Sequence, residues 1–173
     1  MRAPIDLNDP NLSEAQQALA DRIVNGPRGA IFGPMRALLH EPAIGDLVQQ
    51  MGAHLRYSGQ LPGALRELAI LITAVHWDAP FEWDHHRPIG EREGLDPDLL
   101  DVLQRGETPE FPEPDQALVY RFAITLLNER RLPEPLFRAA EDRFGPAGIL
   151  ELMVVVGYYG LLALVLNGFE ITD

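Results

Sequence analysis

Apolar positions along this chain recur at helical spacing, and no stretch shows the strict alternation of a half-buried strand. Ser13 with Gln16 has the pattern of a capping box and opens a helix to about Val24, closed by Asn25-Gly26-Pro27. Residues 26–42 are broken by Pro and Gly, with a short helical turn from Met35 to His40. Pro42 starts a helix to about Tyr57, in which Ile44, Leu47, Val48, Met51 and Leu55 form an apolar stripe. Pro62 opens the next helix, through Trp77, whose run Leu68-Ala69-Ile70-Leu71-Ile72 is apolar all round, as in a helix buried on most faces. Asp78-Ala79-Pro80 punctuates it, and a further helix runs from about Pro80 to Glu93 before Gly94, a residue suited to a helix end.

Pro88 lies inside that helix and cannot bond the Asp84 carbonyl, so a kink beside His85 and His86 is expected. Asp96-Pro97 has the cap-and-first-turn pattern of a helix to about Arg105, and residues 107–114 read as a stiff linker. Helices follow from about Asp115 to Arg130, from Pro135 to Phe144, and from Pro146 to Phe169, the last two parted by Gly145. The expectation is an all-α chain. It is taken as a single domain over residues 1–173, with residues 1–29 as an N-terminal arm and helix. Leu65-Arg66-Glu67-Leu68 and Leu150-Glu151-Leu152-Met153 each precede an apolar run, an echo suggesting two related helical hairpins.

Composition sharpens this picture mainly by what is missing. The chain has no Cys, and all 14 of its basic residues are Arg. Disulfides, thiolate nucleophiles, Schiff-base lysines and a P-loop lysine are therefore excluded. The expected address is cytoplasmic, since nothing calls for an oxidising compartment and the N-terminus lacks the apolar core of a signal peptide. A net charge of −12 argues against nucleic acid and anionic membrane as partners. Leu152 to Phe169 carries no charge, but Gly157, Gly160, two Tyr and Asn167 within it read as a buried core helix rather than a membrane span.

The chemistry concentrates between Arg66 and Gly94. Glu82 and His86, four residues apart, project from one helical face. Glu67 sits in the buried apolar helix, where a carboxylate is costly unless it is paired or used. Ser occurs only at Ser13 and Ser58, neither in a nucleophile-elbow context, and no glycine-rich phosphate loop is present. Acid–base chemistry by Glu67, Glu82 and His86 remains. The bland alternatives are an exposed helix pair for Glu82 and His86, and macrodipole stabilisation for Glu67. His85 reads as a solvent-facing neighbour or as a second acid–base group. Trp83 reads as packing or as a wall of the site, and His54 and His76 as structural. Glu67, Glu82, His85 and His86 could also make a two-His, carboxylate metal set, although adjacent helical histidines diverge by about 100°. The expectation is no metal and no cofactor. Tyr158, Tyr159 and Asn167 are polar groups on an apolar helix that must find partners in the core.

Arg66-Glu67-Leu68-Ala69-Ile70-Leu71, then Glu82-Trp83-x-x-His86, then Gly94-Leu95, resemble the signature of the carboxymuconolactone decarboxylase family, within the alkylhydroperoxidase D-like (AhpD-like) superfamily. The closing Gly157-Tyr158-Tyr159-Gly160 helix looks like that family's last helix, and the similarity covers about residues 30–170. The resemblance implies an AhpD-like helical bundle with a central helical hairpin and a long apolar C-terminal helix, assembled as a homotrimer or homohexamer. It also implies a cofactor-free lyase acting on a small carboxylated lactone of aromatic catabolism. Catalytic roles then fall on His86, Glu82 and Glu67, and substrate contacts on His85, Arg66, Arg87 and Trp83. Protonated His86 would stabilise an enolate or deliver a proton to carbon, with Arg66 or Arg87 anchoring a substrate carboxylate. In the peroxidase branch a Cys-x-x-Cys pair would stand where this chain has Ala79 and Glu82, so thiol-dependent peroxide reduction is not expected. The remaining alternatives are a non-catalytic ligand-binding oligomer and a metal-dependent enzyme.

Overall fold

The computed structural model describes Arg2 and residues 5–172. Among the described residues there are eight helices and no strand. They are α1 (Glu14–Asn25), α2 (Pro34–Leu38), α3 (Pro42–Tyr57), α4 (Gly63–His76), α5 (Pro80–Arg92), α6 (Pro97–Gln104), α7 (Pro114–Glu129) and α8 (Glu134–Phe169). The expected all-α class holds. By contact the chain falls into two compact units, one of residues up to Gly59 with those from Leu164 onward, the other of Gln60–Ala163.

In the first unit α3 packs on α1 and α2. The α1 start is the reciprocal box expected: the Gln16 N–H donates to Ser13 Oγ at 3.2 Å and the Ser13 N–H to Gln16 Oε1 at 2.9 Å. The apolar stripe expected on α3 divides. Val48 and Leu55 are buried, whereas Ile44, Leu47 and Met51 are 58%, 69% and 41% exposed. The inner face is completed instead by Gly45 and Gly52. A side chain at Gly45 would meet the Leu38 carbonyl at 2.5 Å, so close helix approach selects glycine there and turns the larger residues outward.

In the second unit α4 is the central element, packed most extensively on α5 and α7 and also on α6. Leu65 and every residue from Glu67 to Ala74 are buried. Each of Leu68, Ile70, Leu71 and Ile72, almost wholly buried, contributes roughly 1.5–3 kcal/mol over an exposed position. The turn into α5 closes on Asp78, a non-glycine residue at φ 49°. The Ala79 N–H reaches the Ala74 carbonyl at 2.9 Å and the Asp78 N–H reaches Val75 at 3.2 Å. This is the Schellman arrangement, and Asp is among the few residues that tolerate its left-handed position.

Helix α5 runs on through Pro88 to Arg92. Pro88 removes only the bond to the Asp84 carbonyl, and both residues are exposed, so water can take the freed acceptor. Gly94, at φ 102°, ends α5 with a second Schellman pair, Leu95 N–H to Gly90 and Gly94 N–H to Glu91. Helix α8 breaks at Gly145 (φ 69°, ψ 171°), which matches the two segments expected on either side of it. It is long and apolar enough to cross a membrane, but 56% of its most apolar window is buried within the protein.

Candidate active site

The turn at Asp78 lays α5 back along α4, and Gly90 of α5 lets the two helices approach closely. Gly90 is buried, and a side chain there would meet Leu71 Cδ1 at 3.3 Å and Glu67 Cβ at 3.6 Å. The missing side chain lets α5 close onto Leu71 of α4 and Leu95, one helical turn beyond His86. The Glu67 carboxylate then meets the imidazole directly, with Oε2 at 2.7 Å from His86 Nδ1. On the other side, His86 Nε2 lies 3.3 Å from Glu82 Oε2, four residues back on the same helix. Glu67, Glu82 and His86 are 1%, 3% and 2% exposed.

Carboxylates accept and do not donate, so an imidazole held by a carboxylate at each nitrogen is satisfied when both nitrogens carry hydrogen. The electrostatics agree. Burial pushes the His86 pKa down, but hydrogen bonds to Glu67 and Glu82 and their charges outweigh it and hold His86 above the ordinary histidine range. Burial pushes Glu67 up, but its bond to His86 and the charges of His86 and Arg66 prevail and hold it below the ordinary range. Arg66 supports that acid from its outer side, Nε to Oε1 at 3.2 Å.

Solved structures share this architecture at low sequence identity. An uncharacterised peroxidase-related protein from Silicibacter sp. TM1040 superposes with a TM-score of 0.75 at 16% identity, covering 99% of this chain and 92% of its own. A protein of unknown function from Agrobacterium tumefaciens, described as a putative antioxidant defence protein AhpD, gives 0.66 at 18% identity, covering 78% of this chain and 92% of its own. The chain has the AhpD-like fold. No protein-family model and no curated protein matches it.

Within this AhpD-like frame the expected site residues separate. Glu67, Glu82, His86 and Arg66 converge. His85 lies alongside, its ring edge-on to His86 at 5.0 Å and stacked on Phe81. Arg87 does not join them. Its guanidinium is bound to Asp101 at 2.7 Å, Glu91 at 3.0 Å and Gln104 at 3.3 Å, on the side of α5 facing α6. Trp83 is buried and lines a separate cavity of about 220 Å³ with Ala74, Val75, Ala79 and Pro80, rimmed by Asp78 and Asp84.

The wall against His86 is Tyr159 of α8, its ring edge-on at 5.0 Å and itself packed against Tyr158. Sequence reasoning assigned both tyrosines to the core; a polar group on an otherwise apolar helix was the available signal. The acid that echoes Glu67 has a different use. Glu151 accepts the Gln60 and Leu61 N–H groups at 2.7 and 3.1 Å, capping the entry to α4. Among the described residues, no group of three or more His, Asp or Glu has the arrangement of a metal site.

The shifts give a sign to the pH dependence of stability. A raised His86 contributes fully below its unfolded value near 6.5 and loses its contribution as pH rises through the folded value. A lowered Glu67 contributes fully above its unfolded value near 4.5 and loses its contribution as pH falls through the folded one. Breaking a buried pair by removing one partner costs about 3–5 kcal/mol. His86→Gln is therefore expected to destabilise most between pH 4.5 and 6.5. Urea unfolding of variant and parent across pH checks this: a penalty that is flat, or that grows on the alkaline side, contradicts it.

Proposed function

We propose that this protein is a cofactor-independent lyase of the carboxymuconolactone decarboxylase type, acting on a small carboxylated lactone or related acid. The observation that carries the reading is the dry Glu67–His86–Glu82 cluster. It supplies an imidazolium, where negative charge developing on a lactone carbonyl would be stabilised, beside carboxylates able to handle a proton. The chain supplies neither thiol nor lysine amine, so acid–base chemistry is what its own side chains offer. For the same reason, the thiol-dependent route of a peroxidase has no nucleophile in this chain.

In this reading His86, Glu82 and Glu67 are the catalytic group and His85 is a substrate contact. Arg66 acts through Glu67, since its Nε is already bound there. One observation favours a second reading, a non-catalytic ligand-binding oligomer: both nitrogens of His86 are satisfied from within the protein. Turnover separates the two. Parent protein should decarboxylate a carboxylated butenolide, and His86→Ala should lose about 10²–10⁴-fold in rate while keeping its helical circular dichroism. A parent inert toward a panel of lactone and keto acids supports the binding role instead.

We also propose a homotrimeric or homohexameric assembly in the cytoplasm. Ile44, Leu47 and Met51 stand exposed on one side of α3, and Leu150 and Leu161 on α8 are 61% and 38% exposed. Leu47→Glu is expected to shift the light-scattering mass toward the 19.3 kDa protomer. A protomer mass in the parent, or an unchanged oligomer in the variant, counts against the α3 face.

A further inference from the structure

The cavity at the α4–α5 turn takes no part in the His86 cluster, and its walls have a chemistry of their own. Its volume is about 220 Å³, below the roughly 300 Å³ at which drug-sized ligand sites begin. It therefore suits a molecule of a few heavy atoms. The floor is apolar and buried, made by Ala74 of α4, Ala79 of the turn and Trp83 of α5. The mouth is acidic. Asp78 and Asp84 line it, both are exposed, and among the described residues neither is paired with a cation.

Two hydrogen-bond donors complete the lining. Trp83 is 4% exposed, and among the described residues no acceptor takes its indole N–H. Indole donates and cannot accept, so what this group lacks is an oxygen. Gln104 of α6 is oriented by Arg87, whose Nη1 donates to Gln104 Oε1 at 3.3 Å. A guanidinium only donates, so the amide oxygen is engaged there and the Gln104 NH₂ is left for the cavity.

Unpaired carboxylates above a low-dielectric floor attract a cation more strongly than the same acids would in open water. The same charges refuse an anion. The apolar floor takes a short alkyl chain, and the indole N–H takes one oxygen on it. We propose that this cavity is a binding site for a small primary ammonium ion bearing a hydroxyl, an amino alcohol. The ammonium donates to Asp78 and Asp84 at the mouth, the chain lies on Ala74 and Ala79, and the hydroxyl oxygen accepts from Trp83. A bare metal ion would leave the floor and the indole N–H unused. The site stands apart from the lyase reading, because its acids exclude the carboxylate substrate which that reading invokes.

The test is calorimetric titration of the intact protein at low ionic strength with 4-aminobutan-1-ol, set against butan-1-amine, butan-1-ol and 4-hydroxybutanoate. The amino alcohol should bind most tightly, and the amine about tenfold more weakly for want of the indole bond. The alcohol and the anion should not bind measurably. Asp78→Asn and Asp84→Asn should each weaken the amino alcohol by about tenfold. Asn tolerates the left-handed turn at 78 and position 84 is exposed, so both variants keep the fold. Trp83→Phe should bring amino alcohol and amine to equal affinity.

Affinity unchanged in both Asp variants overturns the proposal, since it reports only the chain's net charge of −12. Binding of the anion as tightly as the amino alcohol overturns it too. So does a parent that binds no amine, with or without uptake of calcium. If Trp83→Phe folds poorly, the indole ¹H–¹⁵N signal of Trp83 in the parent decides the same contact. It should move further with the amino alcohol than with the amine, and equal movement overturns the assignment.

Discussion

An imidazole clamped between two carboxylates, out of contact with water, is the arrangement on which the second unit of this protein turns. His86 is held at 2.7 Å by Glu67 and at 3.3 Å by Glu82, and all three are nearly inaccessible. Three ionisable groups cannot be buried so tightly unless their charges compensate. The local structure follows from that constraint. Glu67 must come from α4 and Glu82 and His86 from α5, so the two helices must lie close. Gly90 supplies the room, and the left-handed Asp78 supplies the reversal. Arg66 adds the second positive charge that the second carboxylate demands.

Much of this was legible in the sequence, for identifiable reasons. Helix boundaries were written in local chemistry: the Ser13–Gln16 box, the Asp96 cap, Gly94 and the Gly145 break all act through neighbouring backbone. Local rules carry over to three dimensions without knowledge of the rest of the chain. Glu82 and His86 were legible because helical spacing alone puts them on one face. Glu67 stood out as a carboxylate in a run too apolar to leave it unpaired.

What was not legible depended on which way a helix is rotated and what it meets. Arg87 and His86 are neighbours in sequence, yet 100° of rotation sends the guanidinium toward Asp101 and the imidazole toward Glu67. Trp83 turns toward its own cavity, and the aromatic wall comes from Tyr159, more than seventy residues later in the chain. The α3 stripe misled because it counted apolar residues without asking whether glycine would take the inner face.

The central claim is the protonation state that this geometry imposes on His86, and ¹⁵N NMR of the histidine ring nitrogens measures it most directly. Both His86 nitrogens should show the shifts of protonated, imidazolium nitrogen at pH 7, and Glu82→Gln should free Nε2 to titrate at lower pH than in the parent. A His86 ring with one bare nitrogen at neutral pH would contradict the account, whatever the protein turns over.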